Sequence, residues 1–165
     1  MIVKIQDIKP LMAQGRIDPA VVLAELRELA LSVHWQTREV AATALVELGK
    51  DHPKAILRNA LRWAKSSNPN IRRAACEGLR GIVKLDPEGV RPVLEALQAD
   101  SELYVKKSVA NVFRNASSRS PDFVLAVCRQ WAQSNNTDTH WIIKAGLRKL
   151  KESRSSEVTA ILGSV

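Results

Sequence analysis

What the sequence lacks narrows its chemistry first. Cys76 and Cys128 are the only two cysteines among 165 residues, which rules out a disulfide framework. Both fall on or beside apolar helical stripes, so reduced core thiols are expected rather than a bridge or a nucleophile. His34, His52 and His140 are isolated, and no metal-ligand spacing exists, so no metal is expected. There is no glycine-rich phosphate loop, no nucleophile elbow and no paired-carboxylate motif. Aromatics make up 4% of the chain, and no segment shows the period-two alternation of a half-buried strand. No apolar run approaches the roughly 20 residues of a membrane span. Lys4, Asp7 and Lys9 interrupt the N-terminal MIVKIQDIKP, which excludes a signal peptide. A cytoplasmic protein with no membrane partner is expected.

What is present is a period. Pro19, Pro53, Pro87 and Pro121 lie 34 residues apart, each suited to a first helical position, where a missing N–H costs nothing. Behind them at the same step run Val22, Ile56, Val90 and Val124, then Leu26, Ala60, Leu94 and Cys128, then Leu29, Trp63, Leu97 and Trp131. Asp18, His52, Asp86 and Ser120 precede the prolines, and the two aspartates and the serine are good N-caps. Arg38, Arg72 and Lys106 keep the step in the second helices. Self-similarity of this kind defines an all-α solenoid of stacked helix pairs, an α-α superhelix expected to be right-handed.

The chain reads as a single domain, 1–165. Residues 1–18 form an N-terminal cap, 19–151 four helix-pair repeats, and 152–165 the opening of a fifth repeat. The repeats pair Pro19–Leu31 with Thr37–Gly49, Pro53–Trp63 with a helix opened by Pro69, Pro87–Ala99 with Glu102–Asn115, and Pro121–Gln133 with Thr139–Lys151. Gly49 reads as a helix stop, and the last pair needs a three-residue insertion in its turn. Tetratricopeptide repeats share this length, but their Trp, Leu-Gly and Tyr signature is absent. The second helices carry Ile71-Arg72-Arg73-Ala74-Ala75 and Val105-Lys106-Lys107-Ser108-Val109, a pattern that resembles shortened HEAT repeats. The unfinished C-terminal half-repeat leaves room for a second copy of the chain.

Charge is skewed toward base, 25 Lys and Arg against 17 Asp and Glu, which points to a polyanionic partner with nucleic acid first. Aligned second helices place Glu39, Arg73, Lys107 and Lys144 in one column. Thr43, Glu77, Asn111 and Arg148 follow one turn on, then Val46, Arg80, Arg114 and Lys151. These i, i+4, i+7 positions share a face off the apolar stripe, and a solenoid stacks such faces into its concave surface. In repeats two to four that surface carries Arg73, Arg80, Lys107, Arg114, Lys144, Arg148 and Lys151 against Glu77 alone. It could follow a duplex backbone; the alternatives are an ordinary solvated face or a site for an acidic protein. Arg58, Arg62 and Lys65 make a further basic row expected to face outward.

Repeat one breaks the column with Glu39, one turn after Trp35. The two admit two readings. In one, Trp35 packs against the preceding helix end and Glu39 pairs with Arg38, Arg73 or a helix N-terminus. In the other, ring and carboxylate together receive a cation.

The run Asp100-Ser101-Glu102-Leu103-Tyr104-Val105-Lys106-Lys107-Ser108-Val109-Ala110-Asn111, with Trp131 and Thr139-His140-Trp141-Ile142-Ile143-Lys144-Ala145-Gly146-Leu147-Arg148, resembles the HEAT-repeat DNA alkylation-repair proteins, the AlkC branch more than AlkD. The resemblance covers roughly residues 20–150. It implies a cofactor-free DNA glycosylase that removes positively charged alkylpurines. Trp35 and Glu39 match the family's Trp-x-x-x-acid element, and Lys107 and Lys144 its backbone-contacting basic positions. Asn111 stands where the AlkD branch has a second catalytic Trp, a departure from AlkD-like chemistry. The additional N-terminal helices usual in such enzymes are also expected to be missing, which leaves a DNA-binding relative without excision as the alternative.

Overall fold

The computed structural model describes residues 1–165 and contains helices and turns but no strand. After a 3-10 turn over Ile5–Ile8 come α1 (Lys9–Ile17), a second 3-10 turn at Pro19–Val21 and α2 (Leu23–Ala30). There follow α3 (Trp35–Asp51), α4 (Pro53–Trp63), α5 (Pro69–Glu77), α6 (Leu79–Ile82), α7 (Pro87–Leu97) and α8 (Leu103–Ala116). The chain continues through α9 (Pro121–Trp131), α10 (Thr137–Gly146), a 3-10 turn at Leu147–Leu150 and α11 (Ser155–Leu162). Helices α2, α4, α7 and α9 make one layer; α3, α5 with α6, α8 and α10 make the other. The second layer packs in closer succession than the first, and that difference curves a solenoid toward its second helices.

The prolines act as the sequence implies: Pro53, Pro69, Pro87 and Pro121 open their helices. The Asp18 and Asp86 carboxylates accept the Ala20 and Gly89 N–H groups, each at 2.9 Å. Ser120 departs from its expected capping role. Its side chain accepts no cap bond, and the helix starts on its backbone carbonyl, which takes the Val124 N–H. Gly49 is not a stop either, because α3 runs on to Asp51. No glycine has positive φ; a Cβ at Gly49 would lie 3.2 Å from Ile82 of the next repeat. The helix ends instead at His52, where the following proline disfavours helical backbone. Its start lies at Trp35, two residues before the expected Thr37.

The second helix of repeat two is broken at Gly78 into α5 and α6. A Cβ there would sit 3.0 Å from that of Leu45, so glycine lets the break nest against α3. A period not evident from the sequence also emerges in the turns. Ser32, Ser66, Asp100 and Ser134 each accept the N–H two residues on, at 3.0–3.2 Å. Basic residues tie these turns together. Arg38 donates to the Ser32 and Val33 carbonyls, and Arg72 to those of Ser66 and Ser67. Arg72 also reaches forward to both oxygens of Asp100, at 2.6 and 3.2 Å, while Lys106 reaches Asp138 at 2.6 Å.

The core is continuous from Ile8 to Ile161. Ile71, Ala74, Ala75, Gly78, Leu79 and Ile82 are all buried, as their spacing predicts, and Trp63 is 8% exposed. Phe113 meets Trp131 edge-on with ring centroids 5.3 Å apart. α11 buries Val158 and Ile161 against the last repeat without a second helix of its own. No helix is long and apolar enough to cross a membrane.

A basic concave face with two recesses

The inner columns come together on the second-helix layer, but not as a uniform basic strip. Arg73 donates to Glu39 Oε1 across the repeat boundary, so the carboxylate of repeat one is held by the first cation of repeat two. Glu39 Oε2 has no protein partner. Arg80 Nε lies 3.0 Å from Glu77, and the Ser108 hydroxyl donates to the other Glu77 oxygen at 2.6 Å. Glu77 is therefore not the solvated opposing charge of the concave face; it is 7% exposed and part of the floor. With Arg73 and Arg80 paired, the cations free of an acidic partner are Lys107, Arg114, Lys144, Arg148 and Lys151.

Those free cations belong to repeats three and four. The Lys107 ammonium stands 5.2 Å from the Tyr104 ring centroid. Arg114 Nη1 donates to the Ala145 carbonyl at 3.2 Å. Burial, and then the charge of Arg148, pull its guanidinium below the usual value. The charge of an anion settling there would offset both effects. Asn111, beside Arg114 on α8, is half-buried, and its carbonyl accepts from the Asn115 side chain at 2.8 Å.

Two recesses open on this face. The first, about 430 Å³, is lined by Trp35, Arg38, Glu39, Asn70, Arg73 and Tyr104. Trp35 is 61% and Tyr104 66% exposed, so neither ring packs into the core. A carboxylate that shares a recess with two exposed rings suits a cation, or a base that carries positive charge, although Arg38 and Arg73 stand in the same lining. The second recess, about 440 Å³, brings Lys144, Arg148 and Lys151 beside Trp141 and is bordered by Leu162 of α11. It has cations and one ring but no acid, the composition of a phosphate site.

Reasoning from the sequence brought Trp35, Glu39 and the basic columns to this face but missed Asn70, Tyr104 and Trp141. The signal was available: Gln36, Asn70 and Tyr104 continue at 34 residues, and Trp141 follows after the insertion. This column lies one turn before the basic one. The thiols take no part. Both are free and buried. Burial pushes Cys128 up to about 12 and raises Cys76 well above the ordinary range, with the Glu77 charge adding to the latter. No group of three His, Cys, Asp or Glu side chains is placed to hold a metal ion.

The HEAT-repeat family model matches residues 20–114, and the chain belongs to the HEAT-repeat family. Among solved structures, it is similar to Pseudomonas fluorescens alkylpurine DNA glycosylase AlkC bound to DNA containing an abasic site analog. That likeness has a TM-score of 0.77 at 25% identity and covers 96% of this chain and 44% of AlkC. AlkD2 from Streptococcus mutans gives 0.69 at 29% identity, over 84% of this chain and 69% of its own. Within the family, its helical solenoid is thus similar to that of an alkylpurine DNA glycosylase. It is also 32% identical to the uncharacterized protein YhaZ of Bacillus subtilis over 147 residues, 84% of this chain and 40% of YhaZ. The chain spans less than half the length of YhaZ or AlkC.

Proposed function

We propose that the concave face binds duplex DNA and that the first recess excises cationic alkylpurines from it. The observation that carries this reading is one surface with two complementary parts. An aromatic–carboxylate recess lies at one end, and cations without acidic partners lie toward the other. The likeness to a DNA-bound alkylpurine glycosylase supports the same assignment.

Lys107, Arg114, Lys144, Arg148 and Lys151 would hold successive phosphates, releasing counterions as they do so. Trp35 and Tyr104 would flank the damaged nucleotide. As the glycosidic bond breaks, its electron pair goes to the departing purine and neutralises it, leaving positive charge on the sugar. Glu39 Oε2, free of protein partners, would face that charge and orient a water. The water oxygen bonds to the sugar carbon and its proton leaves to solvent. Arg73 on Oε1 keeps the carboxylate in place while neutralising part of it. That pairing, with Asn111 where the AlkD branch has an aromatic, favours a second reading in which the protein binds DNA without cutting a base free.

The experiment is duplex binding and base release measured together. Affinity for a methylated duplex should fall steeply with salt, and free methylated purine should accumulate under single-turnover conditions. Binding without base release would leave the non-excising reading. Absence of binding at low salt would remove both.

A further inference from the structure

The outer face of repeat two differs from every other repeat. Lys54, Arg58 and Arg62 follow at i, i+4 and i+8 along α4, and Lys65 stands in the turn just after it. All of them are exposed and none is in a salt bridge with an acid. The same positions hold Ala20, Ala24, Glu28 and Leu31 in repeat one. They hold Glu88, Pro92, Ala96 and Ala99 in repeat three, and Asp122, Ala126, Gln130 and Gln133 in repeat four. Three outer ridges are thus neutral but for a single acid each, and one carries four positive charges. A solubilising surface alone gives no reason for that concentration in one repeat.

Beside this ridge lies a recess of about 800 Å³, between α4 and the Pro19–Val21 turn. Arg58 and Arg62 form one wall; Ile17, Leu23 and Leu61 supply apolar lining. Ile17 is 85% exposed, and Val21 on the adjoining turn 62%. Asp18, the one acid in its lining, accepts the Ala20 N–H through Oδ1. His52 Nε2 donates to the Arg16 carbonyl at 2.7 Å and pins the end of α1 against α4. Arg62 Nη2 donates to buried Asn59 at 3.1 Å, which orients the guanidinium along the rim.

We infer that this groove docks an acidic amphipathic helix of a partner protein. Apolar side chains of such a helix would enter between Ile17, Leu23 and Leu61, and its carboxylates would meet Arg58 and Arg62, with Lys54 and Lys65 extending the line. The combination of aliphatic lining and a straight row of cations separates this surface from the concave one. There the cations stand beside aromatic rings and are spread over successive helices. The surface is independent of the concave face, so the protein could engage a partner while its inner face is occupied.

The test uses a displayed library of random peptides about 16 residues long, enough for four helical turns, selected on the full chain and counter-selected on Arg58→Glu/Arg62→Glu. Enrichment of peptides that combine carboxylates with apolar residues at helical spacing is expected. A labelled synthetic copy should bind the wild type and lose about tenfold or more in affinity on Arg58→Glu/Arg62→Glu. It should also weaken on Ile17→Ser and keep its affinity on Lys144→Glu/Arg148→Glu. Arg58→Gln/Arg62→Gln serves where charge reversal impairs folding. The inference is overturned if no such peptides are enriched, or if the Lys144/Arg148 variant loses peptide binding equally. It is also overturned if the Arg58/Arg62 variant loses duplex affinity as severely as peptide affinity, which makes the ridge a nucleic-acid surface. A wild-type dimer that Arg58→Glu/Arg62→Glu dissociates would assign the groove to a second copy instead.

Discussion

The two ends of the concave face use the same helical positions for opposite purposes. At the repeat-one end, the column residue is Glu39, tied to Arg73 in a recess that two exposed rings also line. At the repeat-four end, it is Lys144, beside Arg148 and Lys151 with no acid among them. The backbone under both is the same stacked helix pair. Function is therefore written into a solenoid by substituting one position at a time along a column, not by changing the fold. On the proposed function, one end meets a charge that develops during a reaction, and the other meets charges already fixed along a polyanion.

The largest expected effect asks whether the ends share a foundation. Phe113 is fully buried and Trp63 nearly so, one under each half. Truncating either to alanine should destabilise by about 3–5 kcal/mol, read from chemical denaturation. A loss at one site far below the other would mean that the halves unfold separately. Next in size, Lys144→Glu/Arg148→Glu should lower the dependence of log affinity on log salt by about two or more for a duplex, because two phosphate contacts disappear. An unchanged salt slope would take the grip away from the repeat-four end. The smallest effect tests the clamp between repeats. Arg38 Nε is buried without a partner, whereas Arg72 Nε, one repeat on, has Asp100. Ser66 holds the position of that aspartate, so Ser66→Asp should add about 0.5–1 kcal/mol. A destabilised Ser66→Asp variant would show that Arg38 does not face the turn as Arg72 does.

The repeat itself was legible because Pro53, Pro87 and Pro121 each mark an α-helix start and Pro19 a 3-10 turn that leads into one, and the apolar residues behind them keep one angular position. The pairing of Glu39 with Arg73 was among the partners the column order allowed. The burial of Glu77 was not legible, since it depends on Ser108, 31 residues later in the chain, and on the break at Gly78. Tyr104 escaped because an aromatic beside a basic run reads as local decoration. Its role appears only when repeat three is laid against repeat one. Leu162 at the border of the second recess could not be foreseen, because the path of the chain after Leu150 leaves the period.

The division of labour between the two ends is tested most directly by measuring duplex affinity and single-turnover excision on the same two variants. Glu39→Gln should cut base release by about a hundredfold or more and leave affinity within a few-fold of wild type, because an interaction made mainly in the transition state is lost. Lys144→Glu/Arg148→Glu should do the reverse, weakening affinity while the rate at saturating protein stays close to wild type. If Glu39→Gln excises at the wild-type rate, or if both variants lose affinity and rate together, the two ends do not have separate tasks and the assignment of Glu39 is wrong.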